Sequence, residues 1–155
     1  CTTIVDSGGT TTSIPTNSAA SPVPFVKIKM DTVLSDPDNV ADIANSQIKV
    51  PAWAGHIQVF GHVDLPEQNN GNGWFGLHLF RDNSPTHEAY YHTQVYYPVS
   101  TSTALWSGEV SVVAISPIIP ILGANETWQL YGEQSTGAAI TVGSPGTWLS
   151  VCFYH

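Results

Sequence analysis

The chain closes on "TWLSVCFYH", Thr147 to His155. Chain ends are usually polar and fray, but this one is apolar. Read with the period of a strand, Trp148, Ser150, Cys152 and Tyr154 share one face, and Leu149, Val151 and Phe153 share the other. Apolar residues on both faces predict a strand covered on both sides, either central in a β-sandwich or beside a subunit interface. Upstream, the same pattern of short strands and turns recurs. "FVKIKM" (25–30) alternates, with Val26, Ile28 and Met30 opposite Lys27 and Lys29. "IKVPAWAGHIQVFGHVDL" (48–65) reads as one broken strand or two consecutive ones. "PEQNNGNG" (66–73) is a turn, and strands follow in "WFGLHLFRD" (74–82), "AYYHTQVYYPV" (89–99) and "ALWSGEVSVVAI" (104–115). "SPIIPILGANE" (116–126) holds two prolines and reads as an apolar connector, not an interior strand. "TWQLYGE" (127–133) and "AAITVG" (138–143) complete the set, while "DTVLSDPDNVADIANS" (31–46) is a loop with at most a short strand. Eight or nine strands and no helix predict an all-β antiparallel sandwich or jelly roll.

The bulk numbers agree with that class. A chain of 155 residues suits one domain, and at that size roughly 68–70% of the unfolded surface is buried. Only 10% of residues are charged, against roughly 25% in an average globular domain. The surface is therefore built from Thr, Ser, Asn, Gln and Gly, as in all-β extracellular or virion proteins. Four basic residues face 12 acidic ones, a net charge of −8, and no Lys or Arg follows Arg81. No basic stripe exists to replace the counterions of a nucleic acid, and anionic membranes are disfavoured for the same reason. No apolar run approaches the ~18 residues of a membrane span, and no signal-peptide pattern is present.

Residues 1–24 differ in composition from the rest. Fifteen of these 24 are Thr, Ser, Gly or Pro, and none is aromatic. Such a segment cannot build a core alone and is ordered only where it lies against something. It is read as an extended docking arm that contacts a partner through Ile4, Val5, Ile14 and Pro15, ahead of a knob domain at 25–155. Two cysteines do not make a disulfide framework. Cys152, inside the apolar last strand, reads as a small buried core residue. Cys1 leaves Met removal, trimming, precursor processing and a lipid-bearing N-terminus all open.

Several motifs bear on chemistry. His62-Val63-Asp64 is a His-x-Asp pair on one strand face, with His56 six residues earlier on the same face. A distant His87, His92 or His155 would complete the facial triad of a jelly-roll iron oxygenase. That chemistry also needs a basic residue after the distal His to hold a co-substrate carboxylate, and the chain has none there; exposed or core histidines are the simpler reading. Asp36-Pro37-Asp38-Asn39 with Asp42 offers oxygens to Ca²⁺, but the full EF-hand pattern is absent and a solvated loop explains it. No Gly-x-Ser-x-Gly frames a serine nucleophile. Asn125-Glu126-Thr127 fits a glycosylation sequon, which matters only in a eukaryotic secretory pathway. Trp53, Trp74, Trp106, Trp128 and Trp148 with Tyr90, Tyr91, Tyr96 and Tyr97 make an aromatic-rich chain. Adjacent tyrosines point to opposite faces, so one face is expected in the core and the other at an interface or a sugar-stacking surface.

Taken in order, Pro51 to Gly55, "WFGLHLFRDN", Gly123 to Leu130, Gln134-Ser135-Thr136-Gly137 and Thr147 to Tyr154 resemble the C1q/TNF-like jelly roll, with Ala124-Asn125 where that family has Gly-Asp. The resemblance covers Phe25 to His155. It implies a homotrimer with the last strand near the threefold axis, and a binding or structural role without catalysis or cofactor. Trp148, Val151, Phe153, Tyr154, Tyr96 and Tyr97 are the expected trimer contacts. A short polar arm before one knob, with no collagen-like stalk, resembles a bacteriophage capsid decoration (cement) protein on the virion surface, its arm gripping the major capsid or another virion protein. A tail-fibre tip, or a secreted lectin-like adhesin binding a host surface glycan, is the alternative.

Overall fold

Pro51 divides the run 47–65, and the division separates two sheets. The computed structural model describes residues 1–16, 25–65, 73–83, 86–97, 110–123, 125–137, 139–142 and 146–155. Among these the strands are β1 (Thr2–Val5), β2 (Thr12–Ile14), β3 (Val26–Lys27), β4 (Thr32–Ser35), β5 (Ala41–Asp42), β6 (Gln47–Lys49), β7 (His56–Leu65), β8 (Gly73–Asn83), β9 (Thr86–Tyr97), β10 (Val110–Ile115), β11 (Ile119–Pro120), β12 (Thr127–Gln134), β13 (Ile140–Val142) and β14 (Trp148–Tyr154). The first sheet runs β10-β7-β14-β1-β4, with β11 also on β7; the second runs β5-β6-β12-β8-β9, with β3 on β12; β2 and β13 form a separate pair. Among the described residues every strand pair is antiparallel. β6 therefore lies in the second sheet and β7 in the first, joined by a turn in which Ala54 N donates to Pro51 O at 3.1 Å. No helix among the described residues is long and apolar enough to cross a membrane. The fold is the all-β jelly-roll sandwich that the strand pattern predicts.

β14 is a central strand. It pairs with β7 from Trp148↔His62 to Tyr154↔His56 and with β1 from Val5↔Trp148 to Thr2↔Val151. Leu149 and Val151 are fully buried between the sheets with Ile57, Val59 and Val63 from β7 and Leu77, Leu79, Trp128 and Leu130 from the second sheet. Burial of these side chains stabilises the fold by about 1.5–3 kcal/mol each. The alternation of "FVKIKM" holds, since Ile28 and Met30 are buried and Lys29 is exposed. Its strand nonetheless stops at Lys27, because Thr12 Oγ1 and Ser46 Oγ accept from the backbone N–H groups of Lys29 and Met30. Pro120 sits in a two-residue strand at the sheet edge, where a missing N–H is tolerated.

The N-terminal segment departs from the sequence reading. Residues 1–16 are part of the sandwich and not a free arm. β1 lies between β14 and β4, and β2 pairs with β13. Ile4 and Ile14 are fully buried core residues, Val5 is half-buried and Pro15 is exposed, so Ile4 and Ile14 are not available to a partner. The physical reason is that isolated β-branched residues among Thr and Ser suffice when neighbouring strands supply the rest of the core. Asp6 Oδ1 accepts from Gly8 N in the turn after β1, where Gly8 takes a φ of +94°. Residues 17–24, the remainder of the expected arm, lie outside the described residues, as do the turn at 66–72 and Trp106. The cysteines also depart from expectation. Cys152 is bonded to Cys1 in a disulfide spanning 151 residues of sequence, directly across the β1–β14 pair.

Candidate functional site

The alternation that buries Leu149 and Val151 turns Trp148, Ser150, Cys152 and Tyr154 outward. On β7 it turns out His56, Gln58, Phe60, His62 and Asp64, and on β10 Ser111, Val113 and Ile115. Register lays these residues side by side: Val113, His62 and Trp148 form one row across three strands, and Ile115, Phe60 and Ser150 the next. Ser150 Oγ meets Thr3 Oγ1 at 2.9 Å, which ties the row to β1. A sheet with one face in water normally carries polar residues there. Here Val113 is 40% and Ile115 46% exposed, and Phe60 and Trp148 are only half-covered. On these three strands the described face carries no Lys or Arg, and Asp64 is its one acidic residue.

Asp64 and His62 are held in place. The His62 Nδ1 lies within hydrogen-bonding distance of Gly146 O, and since a carbonyl only accepts, Nδ1 donates. Nε2 then faces Asp64 Oδ1 at 3.6 Å, and Ser111 Oγ donates to the same oxygen at 2.6 Å. The imidazole stacks on the Trp148 indole, with centroids 5.4 Å apart and planes 7° from parallel. Serine, histidine and aspartate therefore meet in the wrong order for nucleophilic catalysis. The carboxylate sits between the other two, so His62 is not placed to take the serine proton.

The remaining predicted site residues fall in several places. His56 pairs with Tyr154, and His155 lies against Trp53 with centroids 4.7 Å apart. Six strand residues separate His56 from His62, about 20 Å, so His155 does not join the His62–Asp64 pair. His87 and His92 belong to β9 in the second sheet, and their side chains lie outside the described residues. Of the six expected trimer contacts, Trp148 and Tyr154 are on the outward face. Val151 is sealed between the sheets and Phe153 packs against the core, a correction imposed by the strand's two-residue period. Tyr96 and Tyr97 lie on β9, opposite Trp74 and Gly73, in the other sheet, and their side chains lie outside the described residues. The sequence reading missed Phe60, Val113 and Ile115. The signal that could have found them is the alternation of "HIQVFGHVDL" and "VSVVAI", whose polar phase contains these apolar residues.

The acidic loop is spent on structure. Partial burial pushes the Asp36 carboxyl up, but hydrogen bonds from Val40 N, Ala41 N and Thr2 Oγ1 outweigh it and hold the group below its usual range. Asp42 is held at about 2, chiefly by the Asn45 side-chain amide. Asp42 also accepts from Gln47 and pairs with Lys49 at 3.2 Å. Asn125 of the sequon is exposed. Of the tryptophans, Trp128 is buried and donates to Glu126 Oε1 at 2.8 Å, Trp74 is half-buried, and Trp53 is 44% exposed.

No protein-family model and no curated protein matches the sequence. Solved structures do match the fold. Murine APRIL, in a crystal structure at pH 5.0, is similar with a TM-score of 0.67 at 11% identity, over 99% of this chain and 97% of that one. The Eiger TNF of S. frugiperda is similar with a TM-score of 0.61 at 10% identity, over 99% and 91%. The globular domain of zebrafish complement 1qA is similar with a TM-score of 0.52 at 13% identity, over 94% and 97%. Identities this low speak to architecture alone. The chain has the TNF/C1q-like jelly-roll fold from its first strand, β1, to its last, β14.

Proposed function

We propose that this chain is the knob of a homotrimer, joined through the outward face of the β7, β10 and β14 sheet, and that it acts by binding as a decoration protein on a virion surface. The observation that carries this reading is the stripe of Phe60, Val113, Ile115 and Trp148, adjacent in register on a face that should be polar. Large exposed apolar patches mark interaction surfaces. A second copy suits this one because the chain carries −8 overall while the described stripe is nearly free of charge. Like-charged copies can then meet without burying repelling groups. The threefold arrangement is what the resemblance to TNF and C1q domains implies. The His62–Asp64–Ser111 order gives no support to an enzyme.

The virion setting is supported by the uncharged polar surface and by the Cys1–Cys152 bridge, since such bonds persist at virion and cell surfaces. Residues 1–16 do not serve as a free gripping arm, because β1 and β2 are built into the knob. The same bridge, with exposed Trp53, favours a secreted glycan-binding adhesin as the second reading. Two measurements test these points. Phe60→Ser with Trp148→Ser should yield a folded monomer, by sedimentation velocity and circular dichroism, from a trimeric parent. The intact protein should cosediment with capsids stripped of their decoration at a fixed copy number. Failure to cosediment, with binding to a glycan array instead, would overturn the virion reading in favour of the adhesin.

A further inference from the structure

The chain has only four basic residues, and three of them gather at one edge of the sandwich. Lys27 and Lys29 line a cleft of about 480 Å³ together with Thr10, Met30 and the turn Ile43–Ser46, and Lys49 lies on the adjoining strand β6. Lys49 is occupied by Asp42, whose oxygens are further held by Asn45 and Gln47. Lys27 Nζ donates to Asn45 O at 3.3 Å and lies 5.9 Å from the centre of the Tyr131 ring. Burial lowers the Lys27 pKa against the raising fields of Asp82 and Asp42, so this ammonium has given up water without full compensation. Lys29 is exposed, and its ammonium makes no hydrogen bond or ion pair among the described residues. Thr10 also lines the cleft, with its Oγ1 buried away from solvent.

The floor of the cleft is also specially built. Ser46 is held at φ 48°, ψ 53°, a left-handed conformation that non-glycine residues adopt at a free-energy cost. In return its Oγ accepts from Met30 N at 3.0 Å and lies 3.4 Å from Met30 O, which fixes the segment carrying Lys27 and Lys29 against the Ile43–Asn45 turn. Met30, Ile43 and Ala44 supply apolar wall beside the two ammonium groups.

We infer that this cleft binds a small carboxylate of monosaccharide size, an acidic sugar whose carboxylate is held by Lys29 and Lys27 and whose ring lies against Met30, Ile43 and Ala44. The volume lies within the range of small-molecule sites and suits one or two sugar rings better than a bare ion. The cleft lies off the outward face of the first sheet, so the inference stands apart from the proposed assembly. The test is isothermal titration of the intact protein with sodium galacturonate, with galactose, acetate and inorganic phosphate as comparisons. Galacturonate should bind at one site per chain; galactose, which lacks the charge-assisted contact, and acetate and phosphate, which lack the ring that fills the cleft, should each bind at least about tenfold more weakly. Lys29→Gln, at an exposed position that leaves the fold intact, should weaken galacturonate binding by about tenfold or more. No saturable binding, equal binding of acetate or phosphate, or undiminished binding by Lys29→Gln would each overturn the inference.

Discussion

Breaking the Cys1–Cys152 bridge should be among the most damaging changes this protein can suffer that removes no core side chain. The bridge closes a loop of 151 residues. In the chain-entropy description the unfolded state loses freedom as 1.5R ln n, which for this loop amounts to as much as about 5 kcal/mol at 25 °C. That is a third or more of the stability of an ordinary domain, about 5–15 kcal/mol. The native state keeps its other contacts. β1 stays paired with β14 and β4, Ile4 stays buried, and Asp6 N still donates to Thr147 O at 2.9 Å. The reduced protein should therefore fold, but marginally. The assay is urea unfolding by tryptophan fluorescence, at one fixed protein concentration because assembly contributes to stability. Oxidised, reduced and Cys1→Ser/Cys152→Ser proteins are compared. With a urea slope of about 2 kcal/mol/M, the midpoint should fall by about 2 M on reduction. Intact mass should show the unreduced chain lighter by two hydrogens. A midpoint shift below about 0.5 M, with the mass difference confirmed, would refute the reasoning, because the unfolded chain would then gain no freedom from losing the link.

Three further outcomes follow from the same contacts. Deleting residues 1–5 removes a central strand, with Ile4 and one end of the bridge, so the cooperative thermal transition should disappear; a truncated chain that melts as sharply as its parent would show that β1 is dispensable. Gly61→Ala would set a Cβ 2.5 Å from Leu130 Cδ1 and 2.9 Å from Leu79 Cδ2; urea titration should show a loss of about 1–3 kcal/mol from overpacking, and an unchanged midpoint would mean the sheets separate freely there. Asp31 is held at about 2, chiefly by the Ser7 backbone N–H, and Asp42 at about 2, chiefly by the Asn45 side chain, both below the ordinary 3.8. Their contribution is complete above the unfolded value and is lost as pH falls through the folded one, so the urea midpoint should hold near pH 5 and decline from about pH 4 towards pH 2. Asp31→Asn and Asp42→Asn should flatten that decline, and a wild-type midpoint unchanged between pH 4 and pH 2 would contradict the assignment.

What could be read from the sequence was local. β14 declared itself through a two-residue period of apolar side chains, and Pro51 through the missing N–H that ends one strand before the next begins. The Pro-bearing connector at 116–126 likewise reads as an edge because Pro120 cannot donate to a ladder. What escaped was non-local. Ile4 and Ile14 look like isolated residues in a polar tract, and only the strands that flank them, from the far end of the chain, turn them into core. Cys1 and Cys152 stand at opposite ends of the sequence, and nothing in their spacing announces that β1 and β14 are neighbours. The candidate face was half legible. The sequence places Trp148 and Tyr154 on this face, but it offers Val151 and Phe153 as contacts of the same surface only against the alternation that separates them. Phe60, Val113 and Ile115 gained meaning only once register set β7 and β10 beside β14.

In the proposed assembly the outward face of the first sheet is closed by copies of the same chain. The most direct measurement is the native mass of the intact, oxidised protein by sedimentation equilibrium across a range of concentrations. Three copies of 16.6 kDa predict about 50 kDa. A mass of 16.6 kDa at all concentrations would contradict the claim and leave the stripe of Phe60, Val113, Ile115 and Trp148 to a different partner.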